Sequence, residues 1–297
     1  MTEPRIAVAV VTMGNRPAEV DALLESVAKQ DLAPHRVVVV GNGCPLPEFA
    51  ERLSLPGEFT GIELDDNLGC PGGRNVALER LRAFGDVDVV VELDDDGLLV
   101  DADVLRRVRD LYAADDRLGI VGFRIADENG ETQQRHVPRV GKSDPMRGGE
   151  VTGFLGGGHA LSMAMLAETG DWPAQFFFAH EETDLAWRAI DAGWRILYAP
   201  ELLLQHPKTS PARHAIYYRV NARNRVWLTR RRLPLPLIPV HLGIWVLLTL
   251  ARTPSAAGLR AWFGGFLEGV RESAGERRPM RWRTVARLTR LGRPPVL

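Results

Sequence analysis

An open, mostly parallel α/β sheet covered by helices is the fold class this chain predicts, on three observations. β-Branched apolar runs recur at Ile6–Thr12, Arg36–Val40 and Val89–Val91, with helical patterns between them. The last run ends abruptly in Leu93-Asp94-Asp95-Asp96-Gly97, as expected of a strand buried on both faces that meets its ligand beyond its carboxyl end. The 297 residues, 45% hydrophobic and 25% charged, suffice for one large domain or a domain with an added region.

Taken in order, Ile6–Thr12 is the first strand. The start of the chain carries Glu3 and no basic, small-residue pattern, so it reads as sheet and not as a secretory leader. Pro17 opens a helix that runs to Lys29. Arg36–Val40 is a strand ending in the turn Gly41-Asn42-Gly43, and a shorter strand lies near Gly61–Leu64. The glycine-rich loop from Asp65 to Asn75 enters a helix reaching about Arg82. After the Asp-tipped strand come a helix over Asp103–Ala113 and a strand over Gly119–Ile125. Asp127–Gly149 reads as a polar hairpin or loop, and Gly153–His159 as a flexible loop where backbone approaches a ligand. Glu181–Ala192 is a helix stopped by Gly193, Trp194–Tyr198 is a strand, and His206 lies just beyond it.

Net charge is −1, yet charge is unevenly spread. Residues 207–297 carry 18 basic side chains against three acidic ones, whereas the first 206 carry 19 against 35. A basic tail of this kind seeks an anionic surface, membrane or nucleic acid. Between Arg232 and Arg252 stand 19 uncharged residues. Pro234, Pro236 and Pro239 deny helix to the first third, and the rest spans about 18 Å against a hydrocarbon core of roughly 30 Å. An in-plane or re-entrant membrane segment is expected, with the neighbouring arginines on headgroups and Trp245, Trp262 and Phe263 at the interface. The alternative is a helical hairpin packed over the sheet. Cys44 and Cys70 give neither a disulfide framework nor zinc spacing, as expected of a reduced compartment.

Three adjacent carboxylates repel one another and call for a cation. A hard divalent ion suits their oxygens and in turn holds diphosphate oxygens; the alternative is a solvated acidic turn. Four motifs follow in order: Val10-Val11-Thr12 with Arg16; Asn67-Leu68-Gly69 leading to Gly73-Arg74-Asn75; Leu93-Asp94-Asp95-Asp96; and His180-Glu181-Glu182 through Arg188, then Gly193 and His206. Together they resemble the inverting family-2 glycosyltransferases of GT-A fold, over roughly Arg5 to His206, with a weaker likeness beyond to membrane-associated rhamnosyl or galactofuranosyl transferases of cell-envelope polysaccharide synthesis.

The resemblance implies a Rossmann-like nucleotide-binding half over 1–125, an acceptor half over 126–206 and a basic, helical, membrane-interfacial region over 207–297. It implies that Asp96 ligates Mn²⁺ or Mg²⁺, with Asp94 assisting or holding ribose and His206 as third contact. Glu182 stands where relatives carry the catalytic base, usually aspartate, and Glu181 hydrogen-bonds the acceptor. Thr12, Arg16, Asn67, Gly69, Gly73, Arg74, Asn75, Asp95, Gly157 and Gly158 line the nucleotide and donor sugar. Gly41 and Asn42 replace the aspartate by which relatives read the base, leaving uracil, thymine and guanine open. His159, Trp172 and Phe176-Phe177-Phe178 either shape an acceptor pocket or pack in the core. Asp184 and Arg188 form a stabilising pair. The partners implied are a nucleoside-diphosphate sugar, a saccharide or lipid-linked saccharide acceptor and an anionic membrane surface on the cytoplasmic face of the cell membrane, with no nucleic acid. A sugar nucleotidyltransferase and a non-catalytic nucleotide-sugar scaffold are the rival readings; the former lacks a basic, glycine-rich triphosphate loop in Thr12–Arg16.

Overall fold

A computed structural model describes residues 3–46, 57–139, 141, 143–208, 215–253 and 255–297. Among them nine strands form one sheet. They are β1 (Ile6–Thr12), β2 (Arg36–Asn42), β3 (Glu58–Leu64), β4 (Val89–Asp94), β5 (Leu98–Leu99), β6 (Leu118–Ala126), β7 (Gly149–Glu150), β8 (Gly158–Ser162) and β9 (Arg195–Gln205). The helices are α1 (Pro17–Ala28), α2 (Gly69–Phe84), α3 (Val104–Ala114), α4 (Met163–Thr169), α5 (Glu181–Asp191), α6 (Ala215–Arg232), α7 (Leu237–Arg252), α8 (Ala256–Arg271) and α9 (Trp282–Arg290).

The strand order is β3-β2-β1-β4-β8-β6-β9-β5, with β7 also on β9. Only the nucleotide-side strands β3, β2, β1 and β4 form a continuous parallel block, in which Val11 lies opposite Asp94. Beyond β4 the sheet is mixed: β8 is antiparallel to both β4 and β6, while β6 and β9 run parallel. The expectation of a mostly parallel sheet therefore holds for that block and for the β6–β9 pair, while β8 and the short strands β5 and β7 make the sheet mixed. The elements not expected from the sequence are β5, β7, α4 and, most consequentially, β8. Its Gly158-His159-Ala160-Leu161-Ser162 is buried on both faces and shows no alternation, so with its glycines it reads as loop. A Cβ on Gly158 would meet Leu204 at 2.9 Å, so this glycine serves close sheet packing.

β9 is also longer than the sequence predicts. It runs past the expected Tyr198 and through Pro200, where a register shift between Phe123 and Arg124 accommodates the proline and Arg124 Nε donates to the Pro200 carbonyl at 3.2 Å. The strand resumes and delivers His206 to the carboxyl end of the sheet, where its backbone N–H donates to Ala126.

One face of the sheet is covered by α1 and α3 through Leu23, Leu24, Leu105 and Val108. The other is covered by α2, α4, α5 and the C-terminal helices, whose Trp227, Leu228 and Leu288 join Leu78, Leu161 and Leu185 in a single cluster. Each such side chain contributes about 1.5–3 kcal/mol on burial, so the C-terminal helices share the core.

No described helix is long and apolar enough to cross a membrane. Helix α7 begins at Leu237 and takes Pro239 into its first turn, where a missing N–H removes no intrahelical bond. It buries His241 and Thr249 and exposes Val240, Leu247 and Leu250. Trp262 is buried and stacks on Phe266, so it is core and not an interfacial residue. The arginines before α7 are likewise committed inward: Arg230 caps the α8 carbonyls of Gly269 and Val270, and Arg232 is buried against Asp184.

Candidate functional site

Asp94 ends β4, Asp96 follows in the turn, and His206 leaves β9. The ligand atoms of these three lie within 4.8 Å of one another. His206 Nε2 is 3.0 Å from Asp96 Oδ1 and 3.8 Å from Asp94 Oδ2. Nδ1 donates to the Pro207 carbonyl at 2.9 Å, so Nε2 is the nitrogen aimed at the carboxylates: protonated it donates to Asp96, and deprotonated it would offer its lone pair to a cation. Burial resists the charged form of Asp96, but the His206 hydrogen bond and the nearby Arg16 hold its carboxyl below the ordinary range. Two carboxylates and an imidazole of fixed tautomer suit a divalent cation such as Mn²⁺.

Asp95 turns the other way. It accepts from Thr12 Oγ1 at 2.7 Å, and Arg16 reaches both Asp95 and Asp96. Burial, reinforced by the neighbouring aspartates, raises Asp95 despite the Thr12 bond. Thr12, Arg16 and the triplet thus meet at the carboxyl ends of β1 and β4.

The rest of the expected nucleotide set is largely committed to holding backbone. Asn42 is buried; its Nδ2 donates to Asn67 Oδ1 and Gly69 O, and its Oδ1 accepts from Leu68 N. Asn75 exchanges two 3.0 Å hydrogen bonds with the Trp172 backbone. Gly41 has no room for a Cβ, which would fall 2.4 Å from Cys44 O, and one on Gly73 would strike Val11. Gly69, at φ 74°, lets the chain pass so close to Phe177 that a Cβ would sit 2.4 Å from its carbonyl oxygen.

Arg74 is buried beneath the triplet. Its Nη2 donates to Gly156 O at 2.6 Å and Asp94 Oδ1 at 3.2 Å, while Nε faces Glu92 at 3.4 Å. Glu92 also bonds His159 Nε2 and Trp172 Nε1. His159 and Trp172, 0% and 3% exposed, therefore brace Asp94 from below and do not shape an acceptor pocket. The signal was available: a glutamate inside a valine run requires a buried counter-charge.

A second pair of carboxylates, Glu181 and Glu182, opens α5. The run before it is strained, with Phe177, Ala179 and His180 at φ 63°, 71° and 70°. Asn224 of α6 holds it, its Nδ2 within 2.9 Å of the carbonyls of Phe176, Phe178 and Ala179. Nothing in the sequence signalled that clamp. Phe176 is core, whereas Phe177 and Phe178 are exposed. Glu181 is 3% exposed and its Oε2 has no hydrogen-bond partner. Burial, reinforced by Glu182, pushes Glu181 well above the ordinary carboxylate range. Burial also raises Glu182, against the pull of Arg74. Asp184, by contrast, is ion-paired with Arg188 as expected, and also with Arg232.

Gly156 and Gly157 connect the two halves of the site. A Cβ on Gly156 would lie 2.6 Å from Glu182 Oε1, and one on Gly157 3.3 Å from Asp94 Oδ2. Consecutive Cα atoms are about 3.8 Å apart, so Glu182 Oε1 and Asp94 Oδ2 lie within roughly 13 Å of each other.

The model of the family described as glycosyl transferase family 2 matches residues 8–170. The O-antigen chain rhamnosyltransferase RfbN of Salmonella typhimurium is 23% identical over 201 residues, covering 62% of this chain and 60% of that relative. The chain thus spans less than two thirds of that relative's length. Among solved structures, S. aureus TarS 1-349 in complex with UDP-GlcNAc matches with a TM-score of 0.64 at 18% identity, over 90% of this chain and 81% of that one. A mannosyltransferase of Pyrobaculum calidifontis in complex with GDP-Man and Mn²⁺ matches at 0.57 and 17% identity, over 98% and 85%. These likenesses show a shared GT-A-like fold, and the family match covers more than half of the chain. By that match, the protein belongs to glycosyl transferase family 2.

Proposed function

We propose that the protein transfers a sugar, with inversion, from a nucleoside-diphosphate donor to a saccharide hydroxyl. The observation that carries this reading is the Gly156-Gly157 junction, against which Glu182 and Asp94 of the Asp94–Asp96–His206 cluster both pack. Asp94, Asp96 and His206 hold a divalent ion, which when bound neutralises the leaving diphosphate. Thr12 and Arg16 close the nucleotide side, while Arg74 and Asn75 position the loop beneath it. Glu182 takes the proton of the acceptor hydroxyl, whose oxygen bonds to the anomeric carbon as the sugar–phosphate bond breaks. Glu181, held protonated by burial, donates to the acceptor.

Calorimetry against UDP, TDP and GDP, each with and without Mn²⁺, tests the donor half. At least one nucleotide is expected to bind only with the metal, and Asp96→Asn to abolish that dependence. Metal-independent binding throughout would exclude the assignment.

The acceptor is proposed to be a lipid-linked saccharide of cell-envelope synthesis, with the exposed apolar side of α7, bearing Val240, Leu247 and Leu250, resting on the cytoplasmic face of the membrane. Co-sedimentation with anionic liposomes is the check. Binding lost in Leu247→Asp supports it, and an unchanged pellet of that variant removes it.

A further inference from the structure

A cavity of about 560 Å³ opens beside Glu181 and Glu182 and is closed on its far side by the C-terminal helices. Arg225 of α6 belongs to that wall and is 7% exposed. Its guanidinium lies 3.4 Å over the Trp245 ring, and its Nη1 is 3.4 Å from His241 Nε2. His241 Nδ1 donates to the Pro295 carbonyl, and burial pulls this imidazole down to about 4, so it is neutral and supplies no counter-charge. The Nε of Arg225 has no hydrogen-bond partner, nor do Trp245 Nε1 and His180 Nε2, which line the same cavity.

Among the described residues no carboxylate acts on Arg225; its electrostatic neighbours are Tyr217 and another cation, Arg293. Burial lowers Arg225 only to about 9, so it stays charged at neutral pH. A buried guanidinium with an idle donor and no anion is costly to maintain, and it is relieved by an anionic ligand with two oxygens to offer. Tyr217 feels both Arg225 and Glu182, which places the guanidinium and the base on the same cavity.

We propose that Arg225 is the anion-recognising residue of the acceptor site: the acceptor carries a phosphate or carboxylate that docks on Arg225 while its hydroxyl faces Glu182. The inference rests on the acceptor side proposed above and names the class of acceptor, a charged saccharide and not a neutral one. The cavity lined by Arg225, Glu181 and Glu182 does not include Asp94, Asp96 or His206 in its wall, so donor and acceptor anions occupy separate places.

Calorimetry on the full chain in EDTA, with inorganic phosphate, D-glucuronate and neutral D-glucose as probes, tests it. At least one of the two anions is expected to bind and glucose not to. Arg225→Gln should weaken the bound anion about tenfold or more (about 1.4 kcal/mol per tenfold), and Arg225→Lys, which keeps charge without the planar fork, should weaken it less. Phosphate selectivity would indicate a phosphorylated or phosphate-linked acceptor, and glucuronate selectivity a uronate. Equal anion affinity in wild type and both variants, or binding of neither anion, overturns the proposal. Should Arg225→Gln fail to fold, Arg225→Lys decides alone. Manganese-dependent nucleotide binding measured alongside reports on the donor site: its loss with anion binding intact would count against the transferase reading and not against Arg225.

Discussion

Glu182→Gln is expected to lower kcat by about 10²–10⁴ and to leave manganese-dependent nucleotide binding unchanged. The amide preserves volume beside Gly156, where Oε1 packs close to the loop, but it cannot accept a proton. Its neighbour supplies the control. Glu181 and Glu182 titrate as a pair, both raised first of all by burial. In the wild type, kcat/KM should therefore rise with pH along a limb displaced upward from the ordinary glutamate value of about 4.3, because the base works only when ionised. Glu181 is protonated while Glu182 titrates, so Glu181→Gln replaces one neutral group with another and should leave that limb in place, with a smaller loss of rate. Retained turnover in Glu182→Gln, or a larger loss in Glu181→Gln, would transfer the base to Glu181.

The residues that carry this chemistry were legible because they obey local rules. A valine run ending in three aspartates, a glycine-rich helix entry and two glutamates opening a helix each show in a few consecutive residues, and the structure brings Asp94, Asp96 and His206 together. What stayed hidden depends on contacts distant in sequence. Arg74 reads as a nucleotide ligand until Glu92, 18 positions on, and Gly156, 82 positions on, are seen to claim its nitrogens. Asn42 reads as a base contact until Gly69 and Leu68 take its amide. The hydropathy and the arginines of the C-terminal region suit a membrane surface and a protein core alike. Only packing distinguishes them, and it places Trp262 and Arg232 inside while leaving one side of α7 exposed. Asn224 and Arg225 lie on a helix whose arginines and polar residues show no clear apolar stripe, so neither announced that it faces the site.

Asp184→Asn should destabilise the fold by about 3–5 kcal/mol, the penalty for leaving buried cations without their counter-charge. Asp184 is fully buried; Arg188 Nε lies 2.8 Å and Arg232 Nε 2.7 Å from its oxygens. Burial alone would raise this carboxyl, but Arg188, Arg232 and Arg231 hold it below the ordinary aspartate range. The sign of the pH dependence follows. An acid whose folded pKa is depressed contributes stability that is present above its unfolded value, about 3.9, and lost as pH falls through the lower folded value. The mutant's deficit should accordingly be full at neutral pH and shrink in strong acid. Thermal melts at pH 7 should show a fall on the order of 10 °C, whereas Arg106→Ala, whose partners Asp31 and Asp103 lie at the surface, should cost less than about 1 kcal/mol. Activity should fall as well at temperatures where the variant remains folded. Asp184 ties α5, which begins with the base pair, to the end of α6, which carries Asn224 and Arg225. Slackening that tie loosens the Asn224 grip on the strained Phe177–His180 run and withdraws one wall of the acceptor cavity. A variant that lost stability yet kept full kcat at low temperature would show that the Asp184–Arg232 pair serves the fold alone.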